Sequence, residues 1–261
     1  LAATAFEHIT HYDTVISNYF NSSSTPDTLS KEYTLQQSLK YGLNPQQKTA
    51  ALYSSSLDKK LPFTILSGSP GYINILDAIY SWQLVKETST AINQITVASF
   101  KHTSPAGVGT DLIPLSDQER AASFITADHP PLTPTATAFI RARYTDPKSS
   151  FGDFLAFSHS VDMQTATLIK REVSDGIIAP GYETGVVELL SKKKGNKYLI
   201  LQVDPTFTST SPEVRELHGV TLVQEPNRSI ITSEQFTTET AKTKNKMVTR
   251  ENQVNLALGM M

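Results

Sequence analysis

The stretch "LPFTILSGSPGYINILDAIYSWQLVKE", residues 61–87, decides the fold. Its first eight residues are a short apolar run ending in glycine, which reads as a strand. Ser-Pro-Gly then turns the chain and puts Pro70 where a helix can begin. The remainder, from Tyr72 onward, is apolar on most sides of a 3.6-residue period, so it reads as a largely buried helix. Outward from it, "ITVASF" (95–100) is β-branched and makes a second strand. A strand, a buried helix and another strand form a unit of an α/β sheet, which needs helices over its faces.

The same alternation continues C-terminally. "PTATAFIRARY" (134–144) reads as a helix, and "SSFGDFLAFSHSV" (149–161) as a small-residue turn that becomes a strand. "MQTATLIKREVS" is a helix, "DGIIAPG" a short strand, "ETGVVELLSKK" a helix and "KYLILQVD" a strand. An α/β domain with a mostly parallel or mixed sheet is expected over residues 33–205. Beyond Asp204, "GVTLVQEPN" offers one strand, and the closing "TRENQVNLALGMM" an amphipathic helix with no evident partner. Upstream, residues 1–20 carry Phe6, Ile9 and Val15 or Ile16 at helical spacing, and the polar run "NSSSTPDTLSKE" (21–32) has a linker's composition. The chain opens on Leu1 and stops within a helical pattern, so both ends are expected to be cut.

With 261 residues, 39% of them hydrophobic, the chain is long enough for one large or two smaller globular domains. Its net charge of -2 gives no general attraction to nucleic acid or to an anionic membrane, so an anionic ligand needs a local site. There are no cysteines, which removes disulfides, a thiolate nucleophile and zinc sites of the Cys-x-x-Cys kind. No apolar run approaches the ~20 residues that span a bilayer. A soluble, cytosolic protein is the expectation.

Candidate chemistry starts where "ASFKHTSPAG" (98–107) breaks the second strand with Lys101 and His102 before Pro-x-Gly. That places two ionisable groups at a sheet edge, where open α/β folds keep ligands. The pair reads either as a general base beside a cation or as a solvated lysine next to a histidine capping a loop carbonyl. "LSGSPGYIN" suits an anion at a helix N-terminus or a close strand-to-helix turn, and without Gly-Lys-Ser/Thr it is no P-loop. Gly152 in "SSFGDF" permits close approach of a ligand to the backbone, and Asp175 in "SDGIIAPG" suits ribose hydroxyls; Asx-turn duty fits both stretches as well. In "KYGLNPQQ" (40–47), Lys40 is a phosphate cation and Tyr41 a stacking ring, or the stretch is a polar turn. "KKKGNK" (192–197) reads as a solvated helix end.

Taken in order, "KYGLNPQQ", "GSPGYINILDAIYSWQLVKE", "ASFKHTSPAG", "ARYTDPKSSFGDF", "REVSDGIIAPGYE" and "LSKKKGNKYLILQVD" resemble the bifunctional AICAR transformylase/IMP cyclohydrolase family, especially its eukaryotic forms. The resemblance runs over nearly the whole chain. It implies that residues 1–20 are the last helix of a cyclohydrolase domain and 21–32 a linker. Residues 33–205 are then the first of two cytidine-deaminase-like transformylase subdomains, each a three-layer mixed sheet with flanking helices, and 206–261 lead to the second. The zinc-deaminase signature of His-x-Glu with Pro-Cys-x-x-Cys is absent, so no zinc is implied.

The family moves a formyl group from 10-formyltetrahydrofolate, a cosubstrate, to the 5-amino group of AICAR during IMP synthesis. That amine is a weak nucleophile, because its lone pair is delocalised into an imidazole bearing a carboxamide. The reaction needs a positioned base and stabilisation of a developing oxyanion. By resemblance His102 is the proton acceptor and Lys101 the transition-state stabiliser, while Lys40, Tyr41, Gly152 and Asp175 contact the nucleotide. A homodimer with sites built across the interface is implied too. Lys40 stands where the family usually has arginine, Gln46 where it usually has histidine, and "TDPKSSFGDF" and "AGVGTDLIPL" also depart from its pattern. These departures keep a noncatalytic nucleotide-binding or dimerisation module as the alternative.

Overall fold

A computed structural model describes residues 2–20, 28–55, 60–208, 212–244 and 246–261. Most of the expected linker, residues 21–27, lies outside the described residues. The chain divides into two compact units, Leu1–Leu61 and Pro62–Met261.

In the first unit, helix α1 (Ala2–Phe20) leaves Phe6, Ile9, Tyr12 and Val15 exposed. Strands β1 (Thr34–Leu39) and β2 (Ala50–Ser54) pair antiparallel. Their connection holds Lys40 and Tyr41 and is closed by Gly42 N donating to Gln47 O at 2.9 Å and Asn44 N donating to Gln47 Oε1 at 2.8 Å.

The second unit begins with β3 (Phe63–Ser67), α2 (Tyr72–Ile92), β4 (Thr96–Lys101) and β5 (Ser104–Thr110). It continues through α3 (Asp117–Ala122), α4 (Pro134–Tyr144), β6 (Asp153–Phe157), α5 (Met163–Arg171), β7 (Ser174–Ala179), α6 (Val186–Ser191), the single turn α7 (Lys193–Asn196) and β8 (Leu199–Val203). After it come β9 (Glu213–Leu217), β10 (Val220–Gln224), a 3-10 turn (Ser233–Gln235) and α8 (Arg250–Met260).

Six strands form one mixed sheet in the order β3-β8-β7-β6-β4-β5. Strands β6, β7 and β8 are parallel, whereas β3 runs antiparallel to β8, and β4 antiparallel to β6. All five residues of β6 are buried, so both faces of the sheet are covered there. On one face Leu155, Phe157, Ile177 and Ile200 pack with Phe139 and Ile140 of α4, Leu168 and Ile169 of α5, and Leu190 of α6. Helix α2, buried through Ala78, Trp82 and Val85, packs against β4, β6 and β7 and covers the other. The architecture is a mixed α/β sheet flanked by helices.

Two expectations change, and a third is met and gains a partner. The stretch after Lys-His is not the exit from a strand: Lys101 pairs with Ser104, and β5 returns antiparallel along β4, so "KHTS" is a tight hairpin. Pro105 is tolerated because β5 is the edge strand of the sheet. Second, the closing helix has a partner, since Val254 and Ala257 are buried against Ile92 at the end of α2. Third, "GVTLVQEPN" supplies one arm of a separate hairpin, in which β10 pairs with β9.

Candidate active site

The antiparallel placement of β3 and β4 puts their carboxyl ends at the same sheet edge as the amino ends of β6, β7 and β8. Lys101 therefore does end a strand at its carboxyl side, but its neighbours there come from the beginnings of β6 and β7, the reverse of an all-parallel sheet. This edge gathers Lys101, His102, Gly152 and Asp175. Lys40 and Tyr41 belong to the other compact unit, where the Lys40 ammonium lies 5.8 Å from the centre of the Tyr41 ring.

His102 and Thr103 form the two-residue loop between β4 and β5, with φ of 52° and 64°. Two left-handed residues are what a type I′ hairpin turn requires, and asparagine followed by glycine is its usual filling. Here a histidine and a β-branched threonine occupy it, a conformation that costs L-residues about 1–2 kcal/mol each. The turn is held from outside by Asp77 of α2, whose Oδ1 accepts from Thr103 N at 2.6 Å. Burial raises the Asp77 carboxyl above its usual value, while the Thr103 N–H and the charges of His102 and Lys101 pull the other way; Asp175 pushes it up again. His102, Lys101 and Asp175 thus all act on the Asp77 carboxylate at this edge.

The Lys101 ammonium is fixed by two backbone carbonyls, donating to Phe151 O at 2.9 Å and Gly152 O at 2.8 Å. Gly152 has φ +73°, the left-handed region that favours glycine, and the Lys101 ammonium lies 2.9 Å from where a Cβ would stand, so a side chain there would displace it as well as strain the backbone. The Gly152 N–H is itself tied to Val173 O at 2.8 Å. Behind this strap, Asp153 is wholly buried, accepts from Ser99 Oγ at 2.6 Å and faces Arg143 Nε at 3.6 Å. Arg143 also lies 3.5 Å from Glu172.

Asp175, the candidate ribose acceptor, is engaged by Lys194 Nζ at 2.6 Å. The lysine run is consequently more than a solvated helix end. Lys193 donates to Ile169 O and Glu172 O, each at 2.6 Å, capping α5, and its ammonium lies 4.9 Å from the centre of the Tyr198 ring. Burial draws the Lys193 ammonium down to about 8, against the opposing pull of Glu172 and Asp153. An open cavity of about 350 Å³ lies beside it, lined by Ser174, Lys170 and Lys192 among others.

Sequence reasoning missed Asp77, Asp153 and Arg143. A signal for Asp77 was present: an acid in a helix apolar on most sides must find a partner when buried. Among the described residues no group of three or more His, Asp or Glu could hold a metal ion, and no helix is long and apolar enough to cross a membrane.

Comparison with known proteins adds the decisive observation. The family described as the AICARFT/IMPCHase bienzyme matches residues 1–260 of this chain. The chain belongs to that family. It is 34% identical over 232 residues to the bifunctional purine biosynthesis protein PurH of Lysinibacillus sphaericus, covering 87% of this chain and 40% of that protein. The PurH protein of Chloroflexus aurantiacus is 33% identical over 237 residues, 90% of this chain and 41% of the relative. That of Limosilactobacillus reuteri is 31% identical over 234 residues. This member of the bienzyme family therefore spans about 40% of the length of the curated relatives it matches.

Proposed function

We propose that the chain supplies the formyl-transfer edge of a purine-biosynthesis bienzyme. The reaction moves a formyl group from 10-formyltetrahydrofolate to the 5-amino group of AICAR, and the intact protein also carries IMP cyclohydrolase activity. Membership of the family and the mixed sheet between helices support a cytidine-deaminase-like subdomain over residues 33–205. In the same reading residues 1–20 close a cyclohydrolase domain, 206–261 lead towards a second subdomain, and the enzyme works as a cytosolic homodimer with sites across its interface.

The observation that carries the reading is the hairpin turn that presents His102 beside a lysine anchored on the Gly152 strap. His102 removes the proton from the attacking amine as the new C–N bond forms, and the tetrahedral adduct then breaks the bond from the formyl carbon to N10, whose nitrogen takes a proton as tetrahydrofolate leaves. Lys101, with a fixed ammonium, stabilises the negative charge that develops on the formyl oxygen, and fixed positive charge is worth most where water is excluded. Asp175 takes the ribose hydroxyls once it exchanges Lys194 for them, and Gly152 admits the nucleotide close to the backbone. Lys40 binds phosphate as a point charge, with Tyr41 beside it. No metal takes part in this scheme.

The test is made in the full-length bienzyme. His102→Ala abolishes formyl transfer yet leaves AICAR affinity within about tenfold, or ~1.4 kcal/mol. Lys101→Met lowers turnover more than binding, because its contact matters most in the transition state. Normal turnover in His102→Ala removes that residue from the role. AICAR binding without any turnover in the unmodified protein would favour the noncatalytic module instead.

A further inference from the structure

We infer that Asp77 is a positioning residue for His102, resting on the formyl-transfer reading above. Its carboxylate clamps the left-handed turn that carries the histidine, and so sets where the imidazole points.

Three observations converge on it. The turn is filled by residues that resist its geometry: neither His102 nor Thr103 is glycine, both have positive φ, and Thr103 is β-branched. Left to itself such a loop relaxes towards other turns, and each alternative swings the histidine away from its place. Next, the clamp comes from a rigid element. Asp77 is only 7% exposed, sits in the buried face of a 21-residue helix packed on β4 and β6, and reaches the turn through Thr103 N at 2.6 Å. A short bond from a buried carboxylate to a backbone N–H is among the stronger kinds of hydrogen bond. Finally, burial disfavours this carboxylate, so its position is costly for a residue that only fills a helix. The Asp77 charge faces His102 and Lys101 from α2, with Asp175 of β7 also acting on it.

The role is geometric: the carboxylate is an acceptor for one N–H, and it neither touches the substrate nor takes the proton that His102 removes. A small displacement of a base can cost about a hundredfold in rate, so a clamp at one remove has a large lever.

The experiment compares Asp77→Ala, Asp77→Asn and Asp77→Ala combined with Thr103→Gly in the full-length bienzyme. Turnover and the AICAR Michaelis constant are measured, together with amide hydrogen exchange across residues 101–105 without substrate. Asp77→Ala should lower turnover by at least about tenfold with little change in the Michaelis constant, and exchange at Thr103 should accelerate. Asp77→Asn keeps an acceptor oxygen and should stay within about threefold of the original rate. Glycine fits the second turn position unaided, so Thr103→Gly should restore much of the turnover that Asp77→Ala loses. A lost core contact would give no such recovery, so failure of the rescue overturns the inference. Equal losses in Asp77→Asn and Asp77→Ala also overturn it, since the charge would then be what matters. If Asp77→Ala does not fold, Asp77→Asn and the double variant decide the question alone. Full transformylation by His102→Ala would remove the functional reading, whereas unchanged exchange and turnover in Asp77→Ala, in an enzyme that needs His102, removes this inference only.

Discussion

Asp153 is a carboxylate with no exposed surface, 3.6 Å from a guanidinium that is itself 3% exposed. Proximity to Arg143 lowers its proton affinity, as does the Ser99 hydroxyl, yet burial outweighs both and pushes the carboxyl from 3.8 up to about 6. The imperfect geometry explains the balance, since Arg143 Nε and Asp153 Oδ1 each lack a hydrogen-bond partner. Between pH 4 and 6 the folded protein holds a proton that the unfolded chain has released. The stability contributed by this group is thus full below about pH 4 and is lost as pH rises through 6, by on the order of 3 kcal/mol. Denaturant unfolding of the protein and of Asp153→Asn at pH 4.5 and 7.5 should show the unsubstituted protein losing ground to the variant at the higher pH. A difference independent of pH would mean that Asp153 is ionised throughout. Because Asp153 follows the carbonyls that hold Lys101, this titration takes place directly behind the proposed catalytic lysine.

At the scale of elements, the closest backbone approach at the candidate site's hairpin is between β5 and α4. A Cβ built on Gly107 would fall 2.2 Å from Ala142 O, and one on Gly109 would fall 2.4 Å from Ala138 O. The helix therefore lies on a strip of strand that has no side chains, and its start is secured by Thr133 Oγ1 accepting from Ala136 N at 3.1 Å. Gly107→Ala must push backbone from backbone, which no rotamer change can relieve. A loss of at least about 2 kcal/mol in unfolding free energy is expected. Thermal melting would check it, and an unchanged midpoint would show that α4 can slide freely. In the sequence this stretch looked like a turn, because Pro-Ala-Gly-Val-Gly has weak strand propensity. Pairing with β4 and the helix above it overrode that local preference.

For the molecule as a whole, apolar side chains stand exposed on two elements. Helix α1 presents Phe6, Ile9, Tyr12, Tyr19 and Phe20, and the β9–β10 hairpin presents Leu217, Val220, Leu222 and Val223, with Leu222 63% exposed. A two-stranded hairpin is marginal in water without a covered face. Residues 1–261 purified by themselves should accordingly associate, with a sedimentation coefficient that rises with concentration, and Leu222→Glu should weaken that association. They should also show no formyl transfer with AICAR and 10-formyltetrahydrofolate supplied. A stable, active monomer would contradict both expectations.

The sequence by itself determined the alternation of strands and helices over residues 61–100 and 134–204, though not β5 and α3 between them, because apolar periodicity is a local property that survives in one dimension. It determined the family as well, through ordered motifs carried by the residues themselves. It also marked Lys101 and His102 as a pair of interest, since an ionisable pair interrupting a β-branched run is visible without neighbours. Tertiary structure alone decided that the pair sits in a hairpin turn, that the sheet is mixed at that edge, and that Asp77 reaches Thr103 across 26 positions of sequence. It alone turned Lys193 into a half-buried cap and brought Arg143 to Asp153. The physical reason is common to all of these. Strand order and the partners of buried charges are set by which surfaces exclude water together, and that is a property of contacts between distant segments.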